Sequence, residues 1–250
     1  MSAVPEAHTD GPFTAGGFHT THWTAILVAQ AGDGTAAREA LANLCSTYWY
    51  PLYVFIRRQG SSHHEAEDLT QEFFRRFLER HALGSAQPGA GKFRSFLLVC
   101  LKNFLTNERE RAQAQRRGGG CPLLPLDNGD AETRYSFEPA DNRTPEAVFE
   151  RRWAFTILEQ TMAALRREHS TPEKRDLFEV LQGFLPGGEG ELSRAELAAK
   201  RGVSVGAIDV AIHRLRQRFG ALLRDQVRRT VSSDAEVEEE ISHLISVIGA

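Results

Sequence analysis

The sequence predicts an all-α protein made of two small helical domains joined by a flexible linker. Apolar residues recur at spacings of three and four along most of the chain, as they do on the buried face of a helix. The sequence contains no run of alternating β-branched residues, the pattern typical of strands. Between Gly118 and about Asn142 lie prolines and acidic residues without a period, which indicates the linker.

The first half of the chain carries three apolar stripes, which predict three helices. The first, which Pro51 should kink or divide, consists of Leu41, Leu44, Tyr48, Leu52, Phe55 and Ile56. After a break at Ser61, a helix from about His64 to Arg80 buries Leu69, Phe73, Phe74, Phe77 and Leu78. A loop rich in glycine, alanine and proline then precedes the third stripe, which consists of Phe93, Phe96, Leu97, Val99, Cys100, Phe104 and Leu105.

The second half opens with Thr144 as an N-cap and Pro145 at the first helical position. The stripe that follows consists of Phe149, Trp153, Ile157, Leu158, Met162 and Leu165. The next stripe, which ends where Pro186 and two glycines break the chain, consists of Leu177, Phe178, Val180, Leu181, Phe184 and Leu185. We therefore expect two further helices before that break.

The segment after the break has the spacing of a helix-turn-helix. Ser193 and Glu196 form a capping box, Gly202 suits a left-handed turn, and Ser204 can cap a second helix. The apolar stripe of that second helix consists of Ile208, Ala211, Ile212, Leu215 and Phe219. Such a unit places its second helix in the major groove of DNA. The alternative is a helical hairpin whose basic face is simply solvated.

The chain ends in an acidic amphipathic segment. A capping box at Ser233 to Glu236 precedes a stripe that consists of Val237, Ile241, Leu244, Ile245 and Ile248. This stripe either packs back on the second domain or belongs to a regulatory element whose acidic run competes with DNA for the basic helices.

The formal net charge is −3, but the charges are unevenly distributed along the chain. Basic residues dominate from Lys92 to Arg117, where Arg109 and Arg111 follow Lys102, and again from Arg194 to Arg229. An acidic run follows from Asp234 to Glu240. Two basic stretches of this kind are typical of nucleic-acid binding, whatever the net charge.

Composition and termini favour a cytoplasmic protein. Cys45, Cys100 and Cys121 are odd in number and lack a C-x-x-C spacing, so we interpret them as reduced thiols. The first 17 residues have neither the basic nor the apolar region of a signal peptide, and no window has the length needed to cross a bilayer. We expect no membrane insertion and no cofactor or metal.

Three blocks resemble one family, the extracytoplasmic-function sigma factors. Residues 64–74, HEAEDLTQEFF, are similar to that family's polymerase-binding helix. Residues 93–97, FRSFL, with Asn103 and the arginine-rich residues after it, resemble its strand-opening segment, which reads the minus-ten element. Residues 204–218 are similar to its helix that reads the minus-thirty-five element. The resemblance covers roughly Trp23 to Arg229.

The resemblance implies a bacterial transcription initiation factor rather than an enzyme. Its partners would be promoter DNA and the β′ clamp and β flap of core RNA polymerase, with an anti-sigma factor or a kinase as regulator; Thr70 is a candidate phosphorylation site. It implies an N-terminal extension (1–20), a clamp and minus-ten domain (21–117), a linker (118–143), a helix-turn-helix domain (144–231) and an acidic C-terminal extension (232–250).

The resemblance and the local chemistry together assign three sets of site residues. Those expected to contact polymerase are Glu65, Glu67, Asp68, Gln71 and Glu72. Those expected to contact the minus-ten element are Arg94, Lys102, Asn103, Asn107, Arg109 and Arg111. Those expected in the helix-turn-helix contact are Ser204, Ala207, Asp209, Val210, His213, Arg214 and Arg216.

Each set has a structural alternative. The acidic residues suit the positive end of a helix dipole and a basic partner, but a solvated first turn has the same pattern. Phe93, Phe96 and Phe104 could stack on unpaired bases, although helical spacing favours the core. Asp209 departs from the family pattern, in which basic or hydroxyl residues are more usual; it could accept from a cytosine amino group.

Two rival functions remain. A stand-alone helix-turn-helix regulator would bind duplex DNA without polymerase, usually as a symmetric dimer. A metal-dependent nuclease could use His63, His64, Glu65, Glu67 and Asp68. Against the nuclease, adjacent histidines should face different sides of a helix, and no H-E-x-x-H spacing is present.

Overall fold

A computed structural model describes residues 35–79, 92–115, 131–136, 143–186, 188, 192–231 and 233–249. Within these ranges the secondary structure is helical without strands, which confirms the all-α prediction. The helices are α1 (Thr35–Arg58), α2 (His63–Glu79), α3 (Phe93–Gln115), α4 (Ala131–Ser136), α5 (Pro145–Glu168), α6 (Pro172–Leu181), α7 (Arg194–Arg201), α8 (Val205–Arg228) and α9 (Val237–Gly249). The N-terminal extension, the loop before α3, Cys121 and most of the predicted linker lie outside the described residues.

α1 is one helix that runs through Pro51, so of the predicted kink or division at this residue the division is wrong. A proline inside a helix removes a backbone hydrogen bond and costs about 3 kcal/mol. Burial of the surrounding side chains offsets this cost, because Tyr48, Leu52, Tyr53 and Phe55 are fully buried. Each large side chain so buried contributes roughly 1.5–3 kcal/mol.

α2 and α3 complete the first hydrophobic core with α1. The Phe73 ring meets the edge of Phe104 at 5.7 Å between centroids, and Phe93 is fully buried. Phe93 therefore belongs to the core, as helical spacing favoured, rather than to a surface for stacking bases, while Phe104 packs in the core and keeps an exposed fraction of 8%. Val99 is 56% exposed although it continues the predicted apolar stripe.

α5 begins as predicted, because the Thr144 side chain accepts a hydrogen bond from the amide of Ala147. Its first half carries Phe149 and Trp153 into the first core, and Leu165 near its end lies in a second core. α4, within the predicted linker, contributes Ala131 to the first core. The first core thus contains residues from both sides of the predicted boundary, and the division into two domains stays a prediction.

The second core lies beneath the helix-turn-helix. It consists of Leu165, Phe178, Leu181, Leu185, Leu197, Ala198, Ile208, Ile212, Leu215, Phe219 and Leu222, from the end of α5 and from α6 to α8. α8 also reaches the first core, where its last turn contributes Val227. One long helix therefore connects the helix-turn-helix end of the chain to the rest of the molecule.

α9 packs back on α5 and α8, as one of the two alternatives for the C-terminal stripe predicted. Val237 and Leu244 are buried, whereas Ile245 is 63% exposed. The predicted capping box at Ser233 is wrong, because its hydroxyl bonds the Glu236 side chain instead of a backbone amide. Asp234–Glu236 forms a 3₁₀ turn. The Ser233 hydroxyl and the Glu236 amide are therefore placed differently from the way they would be in the first turn of an α-helix.

Among the described helices, none combines the length and the apolar character that crossing a bilayer requires. Cys45 and Cys100 are free thiols, and burial raises the pKa of Cys45 to about 11. Burial also raises the pKa of Cys100. Both thiols therefore stay protonated at neutral pH, which makes them poor nucleophiles.

Candidate nucleic-acid interface

The start of α2 carries the predicted acidic surface. Ser62 and Glu65 form a capping box in which each backbone amide donates to the other's side chain at 3.3 Å. Glu65 and Asp68 are exposed, while Glu67 and Gln71 are half-buried. Carboxylates at this end of the helix are favoured by the helix dipole.

Glu72 is not part of this surface, contrary to the sequence-based expectation. It is 7% exposed and accepts hydrogen bonds from Arg75 at 2.6 and 2.7 Å and from Arg76. The hydrogen bonds from Arg75 do most to lower the pKa of Glu72, although burial opposes them. Thr70 is also fully buried and donates to the Ala66 carbonyl, so a kinase cannot reach its hydroxyl in this conformation.

A cleft between α2 and α3 gathers part of the predicted minus-ten set. It has a volume of about 190 Å³, several times the roughly 30 Å³ that one water occupies in the liquid. Its lining consists of Phe73, Arg76, Phe77, Cys100, Asn103, Phe104, Asn107 and Arg111. Aromatic walls and polar amide groups therefore meet in one place, and Asn103 is exposed at the rim.

Three cations of α3 are engaged by other side chains. Lys102 lies 2.7 Å from Glu146, Arg111 lies 2.8 Å from Glu108, and Arg109 bonds the Gln59 side chain. The hydrogen bond from Lys102 does most to lower the pKa of Glu146. Exposed ion pairs of this kind contribute about 0–1 kcal/mol, so a competing phosphate can replace the carboxylate.

Arg94 does not lie on that surface, against the prediction of a DNA contact. It is 4% exposed, pairs with Glu150 at 2.5 Å and also with Glu240, and lies 4.7 Å from the centre of the Trp153 ring. Glu240 itself is fully buried. Arg94 in this conformation is the centre of a buried ion-pair network between α3, α5 and α9.

This network extends to the edge of the basic stretch. Lys92 lies 3.0 Å from both Glu239 and Glu240, and His243 lies 3.0 Å from Glu150. The acidic run is plain in the sequence but its partners are not, since the contacts join residues far apart in the chain. The acidic C-terminal helix thus covers the start of the predicted minus-ten segment.

The helix-turn-helix has the predicted local geometry. The Ser193 capping box with Glu196 is complete, and it lowers the pKa of Glu196 chiefly through the hydrogen bonds with Ser193. Gly202 is left-handed with φ of 67°, and the Ser204 hydroxyl accepts from the amide of Ala207 at 3.2 Å. These caps end α7 and begin α8 around a short turn that contains a glycine, as in a helix-turn-helix.

The outer face of α8 presents Ala207, Val210, His213 and Arg214 to solvent. Asp209 is also exposed but lies 3.2 Å from Arg194, a pairing that reduces its repulsion of phosphate. Two arginines of α8 bond to other parts of the protein: Arg216, which belongs to the predicted set, and Arg218, which does not. Arg216 donates to the Phe184 carbonyl at 2.7 and 3.0 Å, and Arg218 pairs with Glu168.

A larger cleft of about 540 Å³ lies behind that face, between α5, α6 and α8. It is lined by Glu168, His169, Lys174, Leu177, Phe178, Leu181, Ala211, Arg214, Leu215 and Arg218. Nothing in the local sequence pattern of these helices marked it, because the lining comes from three elements. A mostly apolar cleft with a charged rim is typical of a binding groove.

A scan against protein-family models, a search of curated proteins and a search of solved structures found no match to this chain. The surfaces of the molecule and the sequence resemblance are therefore the basis for assigning a function.

Proposed function

We propose that this protein is a transcription initiation factor of the sigma type, which binds core RNA polymerase and directs it to promoters. The cleft between α2 and α3 carries this proposal. It brings three predicted minus-ten residues, Asn103, Asn107 and Arg111, together over aromatic walls. An ordinary helix-turn-helix regulator has no need of such a cleft beside an acidic surface.

The chemistry of the cleft suits an unpaired base. Side-chain amides both donate and accept, so Asn103 and Asn107 can pair with the edge of a base that has left the duplex. Phenylalanine rings provide the apolar walls against which a base packs, and Arg111 with Lys102 and Arg109 can contact the phosphates.

The helix-turn-helix supplies the second DNA contact. α8 would lie in the major groove, where Ala207, Val210 and His213 near its start face the base edges and Arg214 contacts phosphate. In this arrangement Asp209 accepts from Arg194 in the free protein and from a cytosine amino group in the complex. The Asp209 carboxylate would therefore have a hydrogen-bond donor both in the free protein and in the DNA complex.

Two surfaces remain for polymerase. Glu65 and Asp68 are exposed on α2 and offer negative charge to a basic partner such as the β′ clamp. We assign the mostly apolar cleft around Phe178 and Leu215 to the β flap, the second polymerase contact that the resemblance implies. An anti-sigma factor would compete for the same surfaces.

We interpret the ion pairs of Arg94 as a closed form of this factor, in which α9 covers the start of the predicted minus-ten segment. The carboxylates of Glu239 and Glu240 occupy the side of Lys92 and Arg94 that a phosphate would occupy in a complex. We propose that α9 moves away from this segment when promoter DNA binds, so that the C-terminal extension regulates DNA access.

Reconstitution with core polymerase and a promoter library tests the proposal. We expect promoter-specific transcription that depends on this chain. A double Asn103→Ala, Asn107→Ala variant should lower promoter opening by roughly tenfold or more, since each well-formed base contact contributes about 1–3 kcal/mol. Its affinity for core polymerase should be unchanged.

The matched control is Asn43→Ala, an exposed asparagine of α1 outside the cleft. It should transcribe like the wild type. If the chain fails to bind core polymerase yet binds duplex DNA as a dimer, the stand-alone regulator is correct instead. That rival is favoured by the complete helix-turn-helix, whose outer face is exposed.

A further inference from the structure

The start of α2 holds three side chains with the donors of a transition-metal site. His63 and His64 are adjacent, and Glu67 lies one helical turn further on. One ligand atom from each lies within 4.8 Å of the others, and the two imidazole rings are 5.0 Å apart between centroids. The expectation that adjacent histidines diverge is therefore wrong here.

The distances fit a tetrahedral cation. Zinc bonds nitrogen and oxygen at about 2.0–2.1 Å, which places neighbouring tetrahedral donors roughly 3.3 Å apart. Nε2 of His63 lies 3.5 Å from Oε2 of Glu67. The third donor belongs to the exposed His64 ring and lies within 4.8 Å of the other two.

A second observation orients His63 for this role. The Tyr53 hydroxyl donates to Glu132 at 2.7 Å and lies 2.9 Å from Nδ1 of His63. Because the single hydroxyl proton goes to Glu132, Nδ1 carries the proton and donates to the Tyr53 oxygen. In the neutral imidazole Nε2 then keeps its lone pair, and it is this nitrogen that faces Glu67.

Glu132 is held in place by Arg57, whose guanidinium lies 2.8 Å from its carboxylate. Metal-binding histidines commonly donate their other nitrogen to such a partner, which fixes the tautomer. Here Tyr53 relays the hydrogen bond from His63 to the carboxylate.

We propose that His63, His64 and Glu67 bind one zinc-class divalent cation, with Tyr53 and Glu132 as positioning residues. Two imidazoles and one carboxylate favour zinc or a similar transition metal over Mg²⁺ or Ca²⁺, which prefer all-oxygen sites. A water would complete the tetrahedron. The alternative is an ion pair between His63 and Glu67 on one helix face, which binds no metal.

Zinc titration of the full, untagged chain distinguishes these alternatives. With ZnCl₂ as the probe, isothermal titration calorimetry should show one tight site per chain, and Co²⁺ should give the visible absorption of a tetrahedral complex. Glu67→Gln and His63→Ala should each weaken the tight site by tenfold or more. Tyr53→Phe should weaken it by about 10- to 100-fold, because it removes the positioning hydrogen bond.

His213→Ala is the matched control, since His213 is an exposed histidine on α8 far along the chain from this cluster. It should leave the tight site unchanged. Zinc should also raise the unfolding temperature of the wild type but not that of Glu67→Gln, whose fold circular dichroism verifies.

Two results overturn the proposal. One is the absence of a tight site in the wild type, and the other is wild-type zinc affinity in folded Glu67→Gln and His63→Ala variants. Neither readout uses polymerase or DNA, so the result is independent of the proposed function.

Discussion

Glu72 shows how one residue can satisfy a family pattern and yet serve the fold. Its carboxylate is buried between Arg75 and Arg76, and Arg76 continues to Glu108 on α3 at 2.5 Å. The charge therefore joins α2 to α3 beneath the cleft. A partner that binds α2 must use Glu65 and Asp68 instead.

The hydrogen bonds that Glu72 accepts from Arg75 and Arg76 predict a pH-dependent contribution to stability. The pKa of Glu72 in the folded protein lies below its usual 4.5, so its stabilisation is present above that value. It is lost as the pH falls through 4.5 towards the lower folded pKa. Glu72→Gln should lower the free energy of unfolding by roughly 1–3 kcal/mol at neutral pH and by less in acid.

Urea denaturation of wild type and variant across that range measures the difference. Glu159→Gln, an exposed glutamate of α5, is the control and should show little change at any pH. A wild-type minus Glu72→Gln difference that stays constant as the pH falls would contradict the assignment.

At the scale of the element, the turn between α7 and α8 depends on one glycine. Gly202 has φ of 67°, a region in which a side chain costs about 1–2 kcal/mol. A Cβ at this position would meet no heavy atom within 4 Å, so the cost comes from backbone strain rather than from a clash. The turn sets the angle at which α8 would meet DNA.

Gly202→Ala should therefore destabilise the protein by about 1–2 kcal/mol and weaken duplex binding. Gly206→Ala is a matched control of opposite sign. Gly206 lies in α8 with a negative φ and has room for a Cβ, so alanine should stabilise the helix by up to about 1 kcal/mol. Thermal unfolding measures the change in stability of each variant. Equal changes in the two variants would contradict the assignment of backbone strain to position 202.

At the scale of the whole molecule, acidic side chains of α9 form ion pairs with both basic stretches. Glu238 pairs with Arg224 of α8, while Glu239 and Glu240 pair with Lys92 and Arg94. The same helix buries Val237 and Leu244 against the first core. Its carboxylates thus neutralise cations of both basic stretches.

The closed form predicts opposite effects on stability and on DNA affinity. Glu240→Ala breaks a buried ion pair, which typically costs about 3–5 kcal/mol, and should loosen α9. Because Arg94 and Lys92 then become accessible, affinity for single-stranded promoter DNA should rise. Chemical denaturation and fluorescence anisotropy measure the two effects.

Glu238→Ala is the control from the same acidic run, since Glu238 is exposed and its pair contributes little. It should change neither quantity appreciably. If Glu240→Ala lowers DNA affinity together with stability, Arg94 serves only the fold and α9 does not regulate access.

Much of the fold follows from local signals in the sequence. The caps at Thr144, Ser193 and Ser204 and the turn at Gly202 are as predicted, because each depends on residues within one helical turn. Asn103, in contrast, is assigned to the candidate site by the sequence resemblance, and its side chain is exposed.

Only the tertiary structure decided how the distant parts meet. Arg94 is covered because Glu150 and Glu240 reach it from two other helices. Pro51 is accommodated because α1 packs on α5. His63 is oriented by its contacts with Tyr53 and, through it, Glu132. Apolar periodicity and capping residues depend on the free energy of a single helix. The burial and ionisation of a charge depend on every element packed around it, and that information lies outside any local stretch of the sequence.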